Sequence, residues 1–279
     1  MNIAITGATG FIGRHVAARL RQHTIRHIST RGALDLQAFS GCNAVIHLAG
    51  EPVAQRWTPE ARRKIRSSRI EGTRAIVELI RRQSAAILIS ASAVGYYGSR
   101  GDESLTESSP PGDDFLSQLA VEWEREALAA EKFGVRVVAL RMGMVLGCDG
   151  GALEKMLPPF RYGIGGRIGN GEQWMSWIHI ADLVDLIAFL LDHRVYGPVN
   201  ATAPNPVTNA EFTQDLADAL HRPAILPVPK FVLKLFFGEM SQIIFASQRV
   251  LPEAAQRAGF EFRFPELGAA LADLLHSPR

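Results

Sequence analysis

Ile3-Ala-Ile-Thr-Gly-Ala-Thr-Gly-Phe-Ile-Gly13 reads as a β-branched strand that runs into Gly7, Gly10 and Gly13 and then into an apolar helical pattern starting at about Phe11. Glycine suits such a corner because the backbone must turn tightly and leave room for a close approach from outside. The helix that follows presents unpaired N–H groups and a positive dipole end, a natural seat for a pyrophosphate. A glycine triplet alone is weak evidence; its place between a strand at residue 2 and an apolar helix makes it specific. Thr6, Gly7, Thr9, Gly10, Phe11, Ile12 and Gly13 are therefore expected at a dinucleotide.

Working outward, short apolar runs alternate with longer helical patterns. Strands are expected at Ile25–Ser29, Ala44–Leu48, Ile87–Ser90 and Val135–Leu140, and helices over Pro59–Arg82, Phe115–Phe133 and Ile180–Leu191. That alternation predicts an α/β fold: a Rossmann-type, doubly wound parallel sheet with a smaller α-rich C-terminal substrate lobe. Residues 1–225 are read as the dinucleotide-binding domain, with substrate-side insertions from about 150, and 226–279 as a small helical domain.

The end of the second strand is where an NAD-binding chain commonly places an acid for the ribose 2′-hydroxyl. Here it reads Ile28-Ser-Thr-Arg31, with no carboxylate. Arg31 can pair a 2′-phosphate through charge-assisted hydrogen bonds, so NADP(H) is expected over NAD(H). Asp35 and Leu36 follow at the position of the adenine. Leu48, Ala49 and Gly50 close the third strand with small or apolar residues that let a cofactor pass near the backbone.

Bulk properties narrow the classes. The chain has 279 residues, 47% hydrophobic and 21% charged, with a formal net charge of +2, so no polyanionic partner is implied. Arg62, Arg63, Lys64, Arg66 and Arg69 read as a solvated helix face rather than a nucleic-acid patch. The two cysteines, far apart in sequence, argue against a disulfide framework or a cysteine-rich zinc site. His23 and His27 have zinc-helix spacing but flank a strand, so no metal is expected. With no signal peptide or long apolar span, a cytoplasmic protein with a small-molecule substrate and neither nucleic-acid nor membrane partner is expected. The apolar Phe231–Phe237 reads as one face of a helix docked on the body.

These residues resemble the extended short-chain dehydrogenase/reductase superfamily, which includes nucleotide-sugar epimerases and dehydratases. The resemblance runs through the glycine motif, His47-Leu-Ala-Gly50, Glu71-Gly-Thr73, Ser90-Ala-Ser-Ala-Val-Gly-Tyr-Tyr-Gly98, Arg141-Met-Gly-Met-Val-Leu-Gly147, Trp177-Ile-His-Ile-Ala-Asp182 and Gly197-Pro-Val-Asn200. It is nearest an atypical epimerase-family branch that carries Arg56-Trp57 and a short C-terminal domain of unknown function. The resemblance implies cofactor contacts at Ser90 and Arg141, a substrate-holding serine at Ser92, and a homodimer through the two long helices. The dense arginines of the first helix speak against that dimer.

The family's proton relay is a Tyr-x-x-x-Lys pair in which the lysine and the cofactor charge lower the phenol pKa. Those positions fall at about Phe115 and Leu119, and no Tyr-x-x-x-Lys occurs anywhere in the chain. Arg69 stands where the family usually has asparagine. Three readings follow: a reductase or epimerase-like oxidoreductase with its acid relocated to Tyr96 or Tyr97 beside Ser92; a non-catalytic NADPH-binding redox-sensing or regulatory module; or nucleotide-sugar chemistry, which the missing tyrosine disfavours. Tyr96 with Arg100 is one substitute for the lost pair. Substrate contacts are expected from Arg56, Trp57, Gln173, Trp174, Ser176 and His179, with His179 also suited to starting a helix.

Overall fold

The computed structural model describes residues 1–30, 39–83, 85–224 and 226–276. Arg31, Asp35 and Leu36 lie outside them.

Six strands form one parallel sheet: β1 Asn2–Thr6, β2 Thr24–Ile28, β3 Ala44–His47, β4 Ile87–Ala93, β5 Arg136–Met142 and β6 Gly197–Ala201. Their spatial order is β2-β1-β3-β4-β5-β6. The central strands are near-continuous apolar runs, and Ile3, Ile5, Val45, Ile46, Leu88, Ile89, Val137 and Val138 have no exposed surface. Strands buried on both faces have to read that way. After β1 the chain first builds β2 on one side and then crosses to β3 on the other. The crevice at the carboxyl ends of the strands therefore opens where the glycine loop leaves β1.

Helices cover both faces. α1 (Phe11–Arg19) and α5 (Ile180–Asp192) pack on one side, and α5 buries Leu183, Leu186, Ile187 and Leu190 completely. α2 (Pro59–Gln83) and α3 (Phe115–Leu128) lie on the other. Arg66 pairs with Glu122 and Arg74 with Glu126, so several arginines of α2 are tied to α3 of the same chain. Arg69 departs from the expected solvated face and turns inward, as described below.

The second lobe gathers α4 (Gly151–Arg161), α6 (Asn209–Leu220) and α10 (Leu267–His276) around Trp177, Phe212 and Leu271. Thr208 opens α6 with a reciprocal capping box to Glu211. Between α6 and α10 come α7 (Lys230–Phe237), α8 (Ser241–Phe245) and α9 (Glu253–Arg257). This last stretch is woven into the body. Val250 pairs with Leu105, Ala255 and Phe260 enter the main core, and Met240 packs on α2 and α3. α7 is the exception. It buries none of its residues, contrary to the expected docked face.

Candidate functional site

The glycine corner forms as its sequence requires. Gly7 has φ of 70°, and a Cβ there would stand 2.9 Å from the backbone of Leu48 and Ala49. A Cβ on Gly13 would run into the Gly7 carbonyl and come within 2.7 Å of Ala8 Cα. Gly10, at the N-terminus of α1, supplies no side-chain cap, so the first N–H groups of the helix stay available to an anion. Gly7, Gly10, Phe11, Ile12, Gly13, Leu48, Gly50, Pro52 and Met142 line a cleft of about 320 Å³. Thr9 is exposed on the loop. Phe11 also anchors this rim. Its ring fills a hollow where a Cβ on Gly147, Gly150 or Gly151 would lie 2.5–2.9 Å away.

Thr6 shapes the cleft from behind. Its Oγ1 accepts the N–H groups of Leu48 and Ala49, both at 3.2 Å, so its own proton goes to Nδ1 of His47 at 2.7 Å. His47 therefore carries its proton on Nε2 and donates to Thr73 Oγ1 at 3.1 Å, which also accepts the Trp123 indole N–H at 2.8 Å. The chain of bonds ties β1, β3, α2 and α3 together. Burial, with the nearby Arg69 cation, pushes the His47 pKa down to about 4, which keeps the ring neutral.

Arg69 lies beside this network. Its guanidinium donates to the carbonyls of Glu51 and Ile65, faces the Trp123 ring at 5.0 Å and stands 3.4 Å from a Cβ position on Gly50. No carboxylate pairs it among the described residues, and burial brings its pKa down to about 10. A desolvated, unneutralised cation thus sits at the edge of the cleft.

Ser92, Tyr97 and Arg141 meet in a polar knot beneath the carboxyl ends of β4 and β5. Glu124, on the inward face of α3, accepts the Ser92 hydroxyl at 2.6 Å and a two-pronged bond from Arg141 at 2.8 Å on each oxygen. Arg141 also donates to the Tyr97 hydroxyl at 2.9 Å, and that hydroxyl donates to Asn200 Oδ1 at 2.7 Å. Arg141 and Ser90 are buried and are not among the residues lining the glycine-loop cleft, although Met142 beside Arg141 is; the Arg141 guanidinium is held by Glu124.

Tyr97 has no exposed surface, and burial outweighs the opposing Arg141 to push its pKa up to about 12. This does not fit the expected proton donor, whose pKa must fall rather than rise. Tyr96 differs. Its half-buried ring lies 3.5 Å from the Arg141 guanidinium carbon, and its hydroxyl has no hydrogen-bond partner among the described residues. Arg100 does not serve Tyr96 as a lysine substitute, because it pairs with Glu103. At the relay positions, Phe115 packs edge-on against Trp57 at 5.5 Å and Leu119 is buried beside Trp123 and Met240.

The expected substrate residues divide. Arg56 is exposed and follows the cleft-lining Pro52, while Trp57 is buried with its N–H on the Val53 carbonyl. Gln173, Trp174, Ser176 and His179 belong to the second lobe and do not line the glycine-loop cleft. Ser176 bridges Gln248 and Val250, and Trp174 donates to Asp102. Gln173 keeps a buried Oε1 with no hydrogen-bond partner among the described residues. His179 caps α5 by accepting the Ala181 N–H at 3.0 Å, the helix-entry role its position suggested.

Glu124 and Asn200 escaped the sequence reading of the site. Glu124 carried a signal, since it falls among the buried Ala120, Trp123 and Ala127 of α3. A carboxylate on such a face needs a cation, and Arg141 breaks the apolar run Val137–Leu140 of β5.

A parallel sheet with an open glycine cleft at its switch point defines a dinucleotide-binding α/β protein. A model of the NAD dependent epimerase/dehydratase family matches residues 3–202, and one for a domain of unknown function, DUF1731, matches 228–274. The chain belongs to the NAD dependent epimerase/dehydratase family. It is 42% identical to the chloroplastic epimerase family protein SDR39U1 homolog of Arabidopsis thaliana, over 99% of this chain and 87% of that protein. It is 39% identical to the epimerase family protein YfhF of Bacillus subtilis, over 99% and 98%. The crystal structure of human epimerase family protein SDR39U1 with NADPH superposes with a TM-score of 0.90 at 34% identity, covering 99% of both chains.

Proposed function

We propose that the chain binds NADP(H) in the glycine-loop cleft and works as an epimerase-family oxidoreductase on a small molecule, with Tyr96 as its proton-exchanging group. The observation that carries the first half is the cleft itself: Gly7 and Gly13 let the backbone fold tightly where a Cβ would strike it, Gly7, Gly10 and Gly13 line the opening, and the uncapped start of α1 faces it. A pyrophosphate fits that donor set. The human relative crystallised with NADPH supports the choice of cofactor, as does Arg31 in the sequence.

Bound there, the nicotinamide supplies or accepts a hydride. The remaining work falls to this chain. Gly7, Gly10 and Gly13 admit the pyrophosphate, and Leu48, Gly50 and Met142 wall the cleft. Met142 pairs in register with Ala93, three residues before Tyr96. When hydride reaches a carbonyl carbon, the oxygen needs a proton. Tyr96 is the tyrosine of this loop whose hydroxyl has no hydrogen-bond partner among the described residues, and its ring is held against the Arg141 guanidinium at 3.5 Å. Ser92, bound to Glu124, acts by holding the knot beneath that loop.

A second reading, a non-catalytic NADPH-binding module, is favoured by the apolar packing at Phe115 and Leu119. Calorimetric titration with NADPH and NADH, followed by NADPH oxidation against a panel of carbonyl compounds, separates the readings. Binding with Tyr96-dependent turnover is expected. Tight binding with no turnover on any carbonyl would favour the module, and no binding of either dinucleotide would end both readings.

A further inference from the structure

Among the described residues nothing covers α7, an apolar helix. Phe231 is 71% exposed, Leu235 76% and Phe236 71%, on a helix that buries no residue at all. The surface extends beyond the helix. Val228, just before α7, bridges to Ile168, and its N–H donates to the Arg167 carbonyl at 2.7 Å. The 162–169 loop therefore runs alongside, adding the exposed Tyr162 and Ile164, and Leu226 joins from the segment before α7. Exposed apolar side chains gathered on adjoining segments in this way point to an interaction site.

The charge on these segments is one-sided. Residues 160–171 and 221–238 contain Arg161, Arg167, Arg222, Lys230 and Lys234, all exposed, and no aspartate or glutamate; the bordering carboxylates are Glu239, paired with Arg62, and Glu172, which accepts from Asn170. None of the cations in these two segments has a salt-bridge partner among the described residues. A second copy docked by two-fold symmetry would set this basic patch against itself. An anionic lipid surface offers what the patch lacks: phosphates for the arginines and lysines, and an acyl boundary for the phenylalanines. Insertion stops at the interface, since no helix of the described residues is long and apolar enough to cross a membrane.

We propose that α7 and the adjoining 162–169 loop form a face that lies on an anionic membrane surface, with Phe231, Leu235 and Phe236 in the headgroup–acyl boundary and Lys230, Lys234, Arg161 and Arg167 on lipid phosphates. The sequence reading expected no membrane partner. It also expected this apolar face to be covered by the body, and the folded chain leaves it open. The proposal is independent of the cofactor.

The test is co-sedimentation of the 279-residue chain with phosphatidylcholine vesicles, with and without phosphatidylglycerol. Binding should be roughly tenfold or more tighter with the anionic lipid and should weaken as salt is raised. Phe231→Ser/Leu235→Ser/Phe236→Ser should abolish it, and Lys230→Glu/Lys234→Glu should remove the preference for anionic lipid. Both variants change exposed side chains, so circular dichroism should match the parent. No sedimentation with either vesicle, or unchanged binding by the triple variant, would overturn the proposal. Equal binding to both vesicles would overturn its electrostatic basis. Concentration-dependent dimerisation abolished by the triple variant, without vesicle binding, would assign the face to a second copy instead.

Discussion

Ser92 and Arg141 sit directly opposite one another on β4 and β5, and both are held by the single carboxylate of Glu124. The Arg141–Glu124 pair is almost wholly buried, with side-chain exposures of 3% and 7%. Removing one partner of such a pair leaves an uncompensated charge in a low-dielectric site. Arg141→Met alone is expected to cost about 3–5 kcal/mol of unfolding free energy. The double variant Arg141→Met/Glu124→Leu, which removes both charges, should recover most of that loss. Urea unfolding of the three proteins checks it; a double variant no more stable than the single one would contradict this account.

The two neighbouring tyrosines should respond in opposite ways. Tyr97→Phe deprives Arg141 and Asn200 of a buried partner and should cost about 1–3 kcal/mol of stability. Carbonyl reduction, measured below the unfolding temperature, should survive it. Tyr96→Phe removes a hydroxyl with no hydrogen-bond partner among the described residues, so stability should scarcely change. Under the proposed mechanism, kcat should then fall by about 10²–10⁴-fold while NADPH affinity holds. A Tyr96→Phe protein with full turnover would exclude Tyr96 as the proton donor.

Backbone requirements were easy to read in the sequence, whereas side-chain partnerships were not. Gly7, Gly10 and Gly13 announce their corner because only glycine meets its geometry, and alternating β-branched runs announce a parallel sheet. Ser92 lies at the end of strand β4 and Tyr97 in the turn after it, where ligands commonly bind, yet their hydroxyls point to Glu124 and Asn200. Asn200 is 103 residues from Tyr97, and no local pattern encodes a contact of that range. Arg69 illustrates the same limit. Its neighbours on α2 are solvated cations, and only the third dimension turns it towards Trp123 and Gly50.

Gly13→Ala tests the corner itself. The added methyl would collide with the Gly7 carbonyl and Ala8 Cα, both backbone atoms that cannot swing aside. A cost of about 1–3 kcal/mol in stability is expected. NADPH binding should be lost as well, because relief of the clash must displace the loop that receives the pyrophosphate. Calorimetry and thermal unfolding check both parts. Unchanged affinity would mean that the cofactor, if bound, sits elsewhere.

His47 makes the fold sensitive to mild acid, and the sign follows from its depressed pKa. The unfolded chain takes up a proton on this ring below about pH 6.5, whereas the native ring, with Nδ1 accepting from Thr6, resists protonation until about pH 4. Stability contributed by neutral His47 is complete above pH 6.5 and is lost as pH falls towards 4. His179, whose pKa burial also pushes down to about 4, acts in the same direction. Between pH 7 and pH 5, where most carboxylates remain charged in both states, each ring should cost about 2 kcal/mol. Denaturant unfolding across this range, in the parent and in His47→Asn, measures it. The variant should start less stable and show a shallower dependence on pH. An equally steep slope in both proteins would show that His47 is not the group being protonated.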